Sequence, residues 1–128
     1  MLKQKIAQAK SWEDRFRLII QASRKLPLPS EEELKQMQSI AGCEAALWFQ
    51  VIPNEMTQTF TFKGYSEARI MNGLLYLLLE EINGKTAKEL TTFNIIEFFD
   101  KLGITQRLSN TRQNGFRAIN QQLSHLIS

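Results

Sequence analysis

The sequence predicts an α+β domain: a small antiparallel sheet of about three strands, packed with several helices. Three observations lead there. Capping residues and helical apolar spacing mark segments on either side of the middle of the chain. Between residues 46 and 63 β-branched and aromatic residues dominate, and Phe60 and Phe62 alternate with Thr59 and Thr61, as in half-buried strands. A length of 128 residues, 43% apolar and 23% charged, suits a single domain, 1–128, with a real core.

Ser11 begins S-W-E-D, a capping-box pattern. The serine oxygen accepts a backbone N–H, and the acid three residues on reaches back. Trp12, Phe16, Ile19 and Ile20 then share one helical face. LPLP at 26–29 ends this helix, because proline lacks an N–H and disfavours helix in the residue before it. S-E-E-E at 30–33 starts a short second helix, its acids where the helix dipole favours them.

QSIA (38–41), ALWFQVI (46–52) and TQTFTFK (57–63) read as strands. The last two form an antiparallel hairpin joined by PNEM at 53–56. Ser66 is expected to cap a long helix reaching about Asn83, with Gly84 in the left-handed place beyond its end. Its run LLYLLL (74–79) is apolar on every side, which predicts the central buried helix. Asn94 with Glu97 opens another helix that Gly103 closes. Ser109 opens the last, with Phe116, Ile119, Leu123 and Leu126 as its apolar stripe. Helices around one small antiparallel sheet make an α+β domain.

The net charge of +3 is uneven: +5 over residues 1–25, −6 over 26–100 and +4 over 101–128. Basic ends of this size suit solvated surface first and an acidic protein partner second; nucleic acid is a distant third. The N-terminal segment has no continuous apolar run of the secretory kind. The longest apolar stretch, 74–79, is too short to span a bilayer. The expectation is a soluble, cytoplasmic monomer with no membrane or nucleic-acid partner, its single cysteine free in a reducing compartment.

Metal chemistry fails on ligand count. Cys43 and His125 are the only thiol and imidazole, and a structural zinc needs about four ligands, mostly of those types. Phosphate-loop, dinucleotide, GxSxG and HExxH patterns are absent. The carboxylate runs at 31–33 and 80–81 read as helix surface. His125 lies close to the chain end and reads as a surface histidine rather than a catalytic base.

Cys43 directly follows Gly42 at the entrance to an apolar run. A free cysteine is commonly a small buried hydrophobe. A thiol on a glycine-led loop between strands is equally a candidate for chemistry. The neighbouring Glu44 disfavours the thiolate, so activation has to come from the fold or from a partner.

These residues resemble the SufE and CsdE family of sulfur acceptors for cysteine desulfurases. IAGCEAALW (40–48) is similar to the family's cysteine loop, a glycine–cysteine pair followed by a tryptophan. WEDRFRLII with LPLP resembles its N-terminal helix and exit. GYSEARIMNGLLYLLL followed by GKTAKEL resembles its next block, most closely in the CsdE branch. LGITQRLSNTRQNGF resembles its C-terminal signature, which contains Arg112. One departure is Ala45, where the SufE branch usually carries serine; Glu44 fits the CsdE branch.

The resemblance implies the α+β fold shared with iron–sulfur scaffold proteins. It also implies a mechanism in which Cys43 takes persulfide sulfur from a pyridoxal-phosphate-dependent cysteine desulfurase of the SufS or CsdA type. The protein would stimulate that enzyme and pass the sulfur to an iron–sulfur scaffold or another acceptor. It would bind no pyridoxal phosphate or metal itself, acting as a transfer partner rather than a stand-alone enzyme. Arg112 is implied beside the cysteine loop or in docking the desulfurase. Gly42, Glu44, Trp48, Glu67 and Arg69 join it as loop-support or partner-binding candidates. An apolar resting place near Trp48 or the 74–79 helix would shield the persulfide. The alternative is a module of the same fold that docks a desulfurase without accepting sulfur.

Overall fold

The computed structural model describes residues 2–40 and 46–126. It opens with α1 (Leu2–Gln8), whose one buried side chain is Ile6; so weak a pattern cannot be read from sequence. α2 (Trp12–Ser23) starts where Ser11 Oγ accepts the Asp14 N–H at 3.1 Å. The expected reciprocal arm is missing, and Asp14 pairs with Arg17 at 3.3 Å instead. Aspartate is one methylene shorter than the glutamate or glutamine that closes such a box. In α3 (Glu31–Gln36), Glu33 has the length, and the box with Ser30 is complete.

The predicted face of α2 divides. Ile19 is fully buried, together with Ala22. Trp12, Phe16 and Ile20 are half-buried on the adjoining stripe, where Trp12 stacks on Phe16 and lies under the Arg107 guanidinium.

The sheet agrees with the expected count of about three and adds one short strand: β1 (Gln38–Ser39), β2 (Leu47–Asn54), β3 (Thr59–Ser66) and β4 (Lys85–Thr86). They lie in that order, each antiparallel to the next. A two-residue strand such as β4 is too short to show an alternating period. The hairpin turn is as long as expected but lies two residues further along the chain. Pro53 and Asn54 continue β2 opposite Phe60 and Thr59, leaving residues 55–58 as the turn. Asn54 Oδ1 accepts the N–H groups of Met56 and Thr57, and Gln58 takes a left-handed φ of 57°. Leu47, Phe49, Phe60 and Phe62 are buried, while Gln50, Thr61 and Lys63 between them are not.

α4 (Arg69–Ile82) is the central helix, with Met71, Leu74, Leu75, Leu78 and Ile82 wholly buried. It crosses α2 so closely that a β-carbon on Gly73 would overlap the Ile19 carbonyl oxygen. Ser66 does not cap it. The N-cap is Ala68, without a side-chain bond. The far end is as predicted: Gly84 has φ +82° and donates its N–H to Phe60 O at 2.7 Å.

α5 (Ala87–Thr91) opens with a complete Thr86–Glu89 box. α6 (Ile95–Lys101) is capped by Asn94 and followed by Gly103 at φ +74°. A 3₁₀ turn, Thr105–Arg107, leads into α7 (Asn110–Ser124), capped by Ser109. Phe116, Ile119 and Leu123 are fully buried beneath it, with Leu126 partly buried. No helix among the described residues is long and apolar enough to cross a membrane.

Candidate functional site

Gly42, Cys43 and Glu44 lie outside the described residues; the chain on either side of them is held by hydrogen bonds. On the entry side, Ile40 is buried and its N–H donates to Leu47 O at 2.8 Å. Gln38 and Ser39 pair with Phe49 and Trp48. The cysteine-bearing stretch therefore joins two neighbouring antiparallel strands.

The exit side is held by side chains. The Ala46 carbonyl accepts two hydrogen bonds, from Ser66 Oγ at 2.8 Å and from the Glu67 N–H at 3.1 Å. Ser66 is completely buried. Its hydroxyl also accepts the Ala68 N–H at 3.1 Å. Its backbone is gripped at both ends by Asn72: Ser66 N–H donates to Oδ1 at 2.7 Å and Ser66 O accepts from Nδ2 at 2.8 Å. Most buried polar groups in folded proteins are hydrogen-bonded, and these are. The hydroxyl expected to start α4 accepts from Ala68 instead and donates to Ala46, twenty residues away. Sequence reasoning missed Asn72 altogether, since nothing local links it to Ala46.

Trp48 is half-buried and pairs with Tyr65 across the hairpin, ring centroids 6.1 Å apart. Its neighbours Leu47 and Phe49 point the other way, into the core. On that inner face a β-carbon at Gly64 would stand 3.2 Å from Leu75 Cδ2 of α4. Trp48 and the 74–79 helix, the two places considered for a shielded persulfide, thus lie on opposite faces of the sheet.

Arg112 is half-buried in the first turn of α7, where its N–H donates to Ser109 Oγ at 3.3 Å. Its Nε is buried and has no hydrogen-bond partner among the described residues. A buried unpaired donor is costly, more so on a charged group, so this is not a freely solvated surface arginine. Glu67 and Arg69 are exposed on either side of Ala68. Glu67 reaches the cysteine-bearing stretch through its backbone bond to Ala46; Arg69 opens α4. Among the described residues no ion pair joins Arg112 to Glu67. His125 is exposed at the end of α7, its Nδ1 2.7 Å from Gln121 O of the same helix.

Elsewhere the titrating groups serve local structure. The Glu33 carboxyl is held below the usual range, first by the Ser30 backbone N–H and then by Lys63 at 3.3 Å. The Thr86 backbone does the same for Glu89. A hydrogen bond to Glu80 raises the Tyr76 phenol. A groove of about 680 Å³ runs beside Leu28, Met37, Phe62 and Leu79, and none of the described candidates, Trp48, Glu67, Arg69 and Arg112, lines it.

Comparison with known proteins agrees with this arrangement. The family model described as SufE, an Fe-S metabolism associated domain, matches residues 1–127. An uncharacterized SufE-like protein of Haemophilus influenzae is 60% identical over 123 residues, 96% of this chain and 97% of that protein. The sulfur acceptor protein CsdE of Escherichia coli is 36% identical over 122 residues, 95% of this chain and 82% of that protein. The solution structure of a hypothetical protein from Thermus thermophilus superimposes with a TM-score of 0.73 at 16% identity, covering 96% of this chain and 90% of that one. It shares the fold. With its cysteine-bearing stretch set between β1 and β2, this chain belongs to the SufE family.

Proposed function

We propose that this protein accepts sulfur from a pyridoxal-phosphate-dependent cysteine desulfurase onto Cys43 and carries it onward. The observation that supports this most directly is the setting of the only cysteine. It falls in a short connection between Ile40 and Ala46, two backbone positions the fold pins, in a chain that a SufE model matches almost end to end. The similarity to CsdE, named a sulfur acceptor protein, points the same way.

The desulfurase strips sulfur from L-cysteine and holds it as a persulfide on its own cysteine. The Cys43 thiolate attacks the terminal sulfur. A new S–S bond forms to Cys43, the old S–S bond breaks, and its electron pair leaves on the desulfurase thiolate. The exchange is neutral in redox terms: one persulfide and one thiolate on each side. Its rate follows the thiolate fraction, the access and the leaving group. A single thiol suits a carrier, because a second cysteine would resolve the persulfide to a disulfide and release the sulfur.

Arg112 supports the chemistry from α7, where its guanidinium favours a nearby thiolate or docks an acidic surface of the desulfurase. Glu67 and Arg69 supply exposed charge for docking. The partner is a SufS- or CsdA-type desulfurase, and the downstream acceptor an iron–sulfur scaffold or a related carrier. The chain itself holds no pyridoxal phosphate and works as a monomer in the cytoplasm.

The test is intact mass after incubation with L-cysteine and a candidate desulfurase, for wild type and Cys43→Ser. A gain of one sulfur in wild type, removed by dithiothreitol and missing in Cys43→Ser, is the expected result. No gain with either type of desulfurase refutes acceptance. Stimulation retained by Cys43→Ser would then identify a docking module.

A further inference from the structure

We infer that Ser66 and Asn72 are positioning residues, which set the point from which Cys43 is presented for reaction. The inference takes the identity of the reaction from the acceptor reading; its geometry stands independently of that reading.

The argument starts from a helix that goes without its cap. Ser66 lies at the end of β3, just ahead of α4, where a serine ordinarily closes the first turn. Here the first turn has no side-chain cap. The hydroxyl donates instead to Ala46 O at 2.8 Å. A fully buried hydroxyl gives its proton to the backbone leaving the cysteine-bearing stretch and accepts the Ala68 N–H, two residues on, rather than an N–H inside the helix.

Asn72 makes this contact directional. It is the fourth residue of α4, and both ends of its carboxamide hold the Ser66 backbone. A two-point grip fixes orientation as well as position, as a pair of ladder bonds does between strands. The Glu67 N–H adds a second donor to the same carbonyl at 3.1 Å. Ala46 is therefore tied through Ser66 to the most deeply buried helix of the molecule. The anchor stands three residues from Cys43 along the chain, a span of at most about 11 Å. Misplacement of reacting groups by about 1 Å can cost a hundredfold in rate, so loosening the anchor should reach the thiol.

The experiment uses the full chain with Ser66→Ala, Asn72→Ala and Ser66→Thr, the last keeping the hydroxyl. Two rates are read well below the unfolding temperature: alkylation of Cys43 by iodoacetamide in the free protein, and sulfur loading by desulfurase and L-cysteine, resolved into kcat and the KM for this protein. One hydrogen bond carries a weight of roughly two- to tenfold in an equilibrium. Ser66→Ala and Asn72→Ala should accordingly change the alkylation rate by about threefold or more. They should lower loading kcat by a similar factor, with KM within about twofold. Ser66→Thr should stay near wild type.

Unchanged alkylation in both alanine variants, with only the unfolding midpoint lowered, would make the pair merely structural and overturn the inference. If Ser66→Ala does not fold, Asn72→Ala decides alone. The two readings fail separately. Altered alkylation in a protein whose wild type never gains sulfur leaves the anchor standing and removes the acceptor. Normal loading with unaltered alkylation does the reverse.

Discussion

Gly73→Ala probes the closest approach in the core, where two effects oppose each other. Alanine is the better helix former by about 1 kcal/mol, and Gly73 sits inside α4. Against this, the new methyl would overlap the Ile19 carbonyl oxygen and stand 2.6 Å from Ile19 Cγ2 and 2.9 Å from the Ile19 carbonyl carbon. Two of those three atoms are backbone and cannot rotate away, so α2 has to move as a body. Overpacking costs typically about 1–3 kcal/mol. Displacing a helix whose Ile19 and Ala22 are wholly buried belongs at the upper end. The clash wins, with a net loss of about 1–2 kcal/mol. For a chain of this size that lowers the unfolding midpoint by roughly 4–8 °C. Urea unfolding followed by tryptophan fluorescence suits the measurement, since Trp12 is the first residue of α2. Stability equal to or above wild type would mean that helix propensity outweighs the contact, and would refute the close crossing of α2 and α4.

Other outcomes follow from separate features. Gly84→Ala meets no atom within 4 Å but must hold φ +82°; strain alone should cost about 1–2 kcal/mol, read by the same unfolding assay, and Gly84→Asn should cost less. Arg112→Ala should lower the sulfur-loading rate severalfold while circular dichroism and the unfolding midpoint stay close to wild type; full loading activity would remove Arg112 from the site. The carboxyls of Glu33 and Glu89 are both held below their usual value. Their contribution is therefore complete above the ordinary glutamate value of about 4.3 and disappears as the pH falls through the lowered values. Melting curves between pH 6 and pH 3 should show a fall that is shallower in Glu89→Gln; an identical fall would dismiss that cap as a source of acid sensitivity.

Capping chemistry is the most legible part of the sequence. Ser30, Asn94 and Ser109 each bond the N–H three residues on, a local contact that a local pattern can reveal. α5 has an equally complete box, but at five residues it shows no apolar stripe, and β4 is shorter still. Ser66 misleads because S-E-A-R looks like a helix start; its hydroxyl accepts from Ala68 instead of from the helix, and donates to Ala46, a partner distant in sequence. The burial of Arg112 Nε is non-local in the same way. Leu47, Trp48 and Phe49 are all apolar, so only the strand pairing separates Trp48 from its core-facing neighbours. No residue pattern singles out Cys43 as reactive: its neighbours argue both ways, and the family resemblance supplies the role.

Asn72 and Asn83 also bear on how an open strand edge is closed. β4 covers β3 only at Thr59 and Phe60, so among the described residues one side of β3 has no neighbouring strand from Thr61 to Ser66. An open side of this kind is a template for another chain. Here the two asparagines occupy it. Asn83 Oδ1 takes the Phe62 N–H at 2.7 Å, and Asn72 takes both the N–H and the carbonyl of Ser66. Gly64, between them, lies against Leu75 of α4. One helix thus imitates a fifth strand with two carboxamides, and a stray strand arriving there would find the bonding positions at both ends already filled.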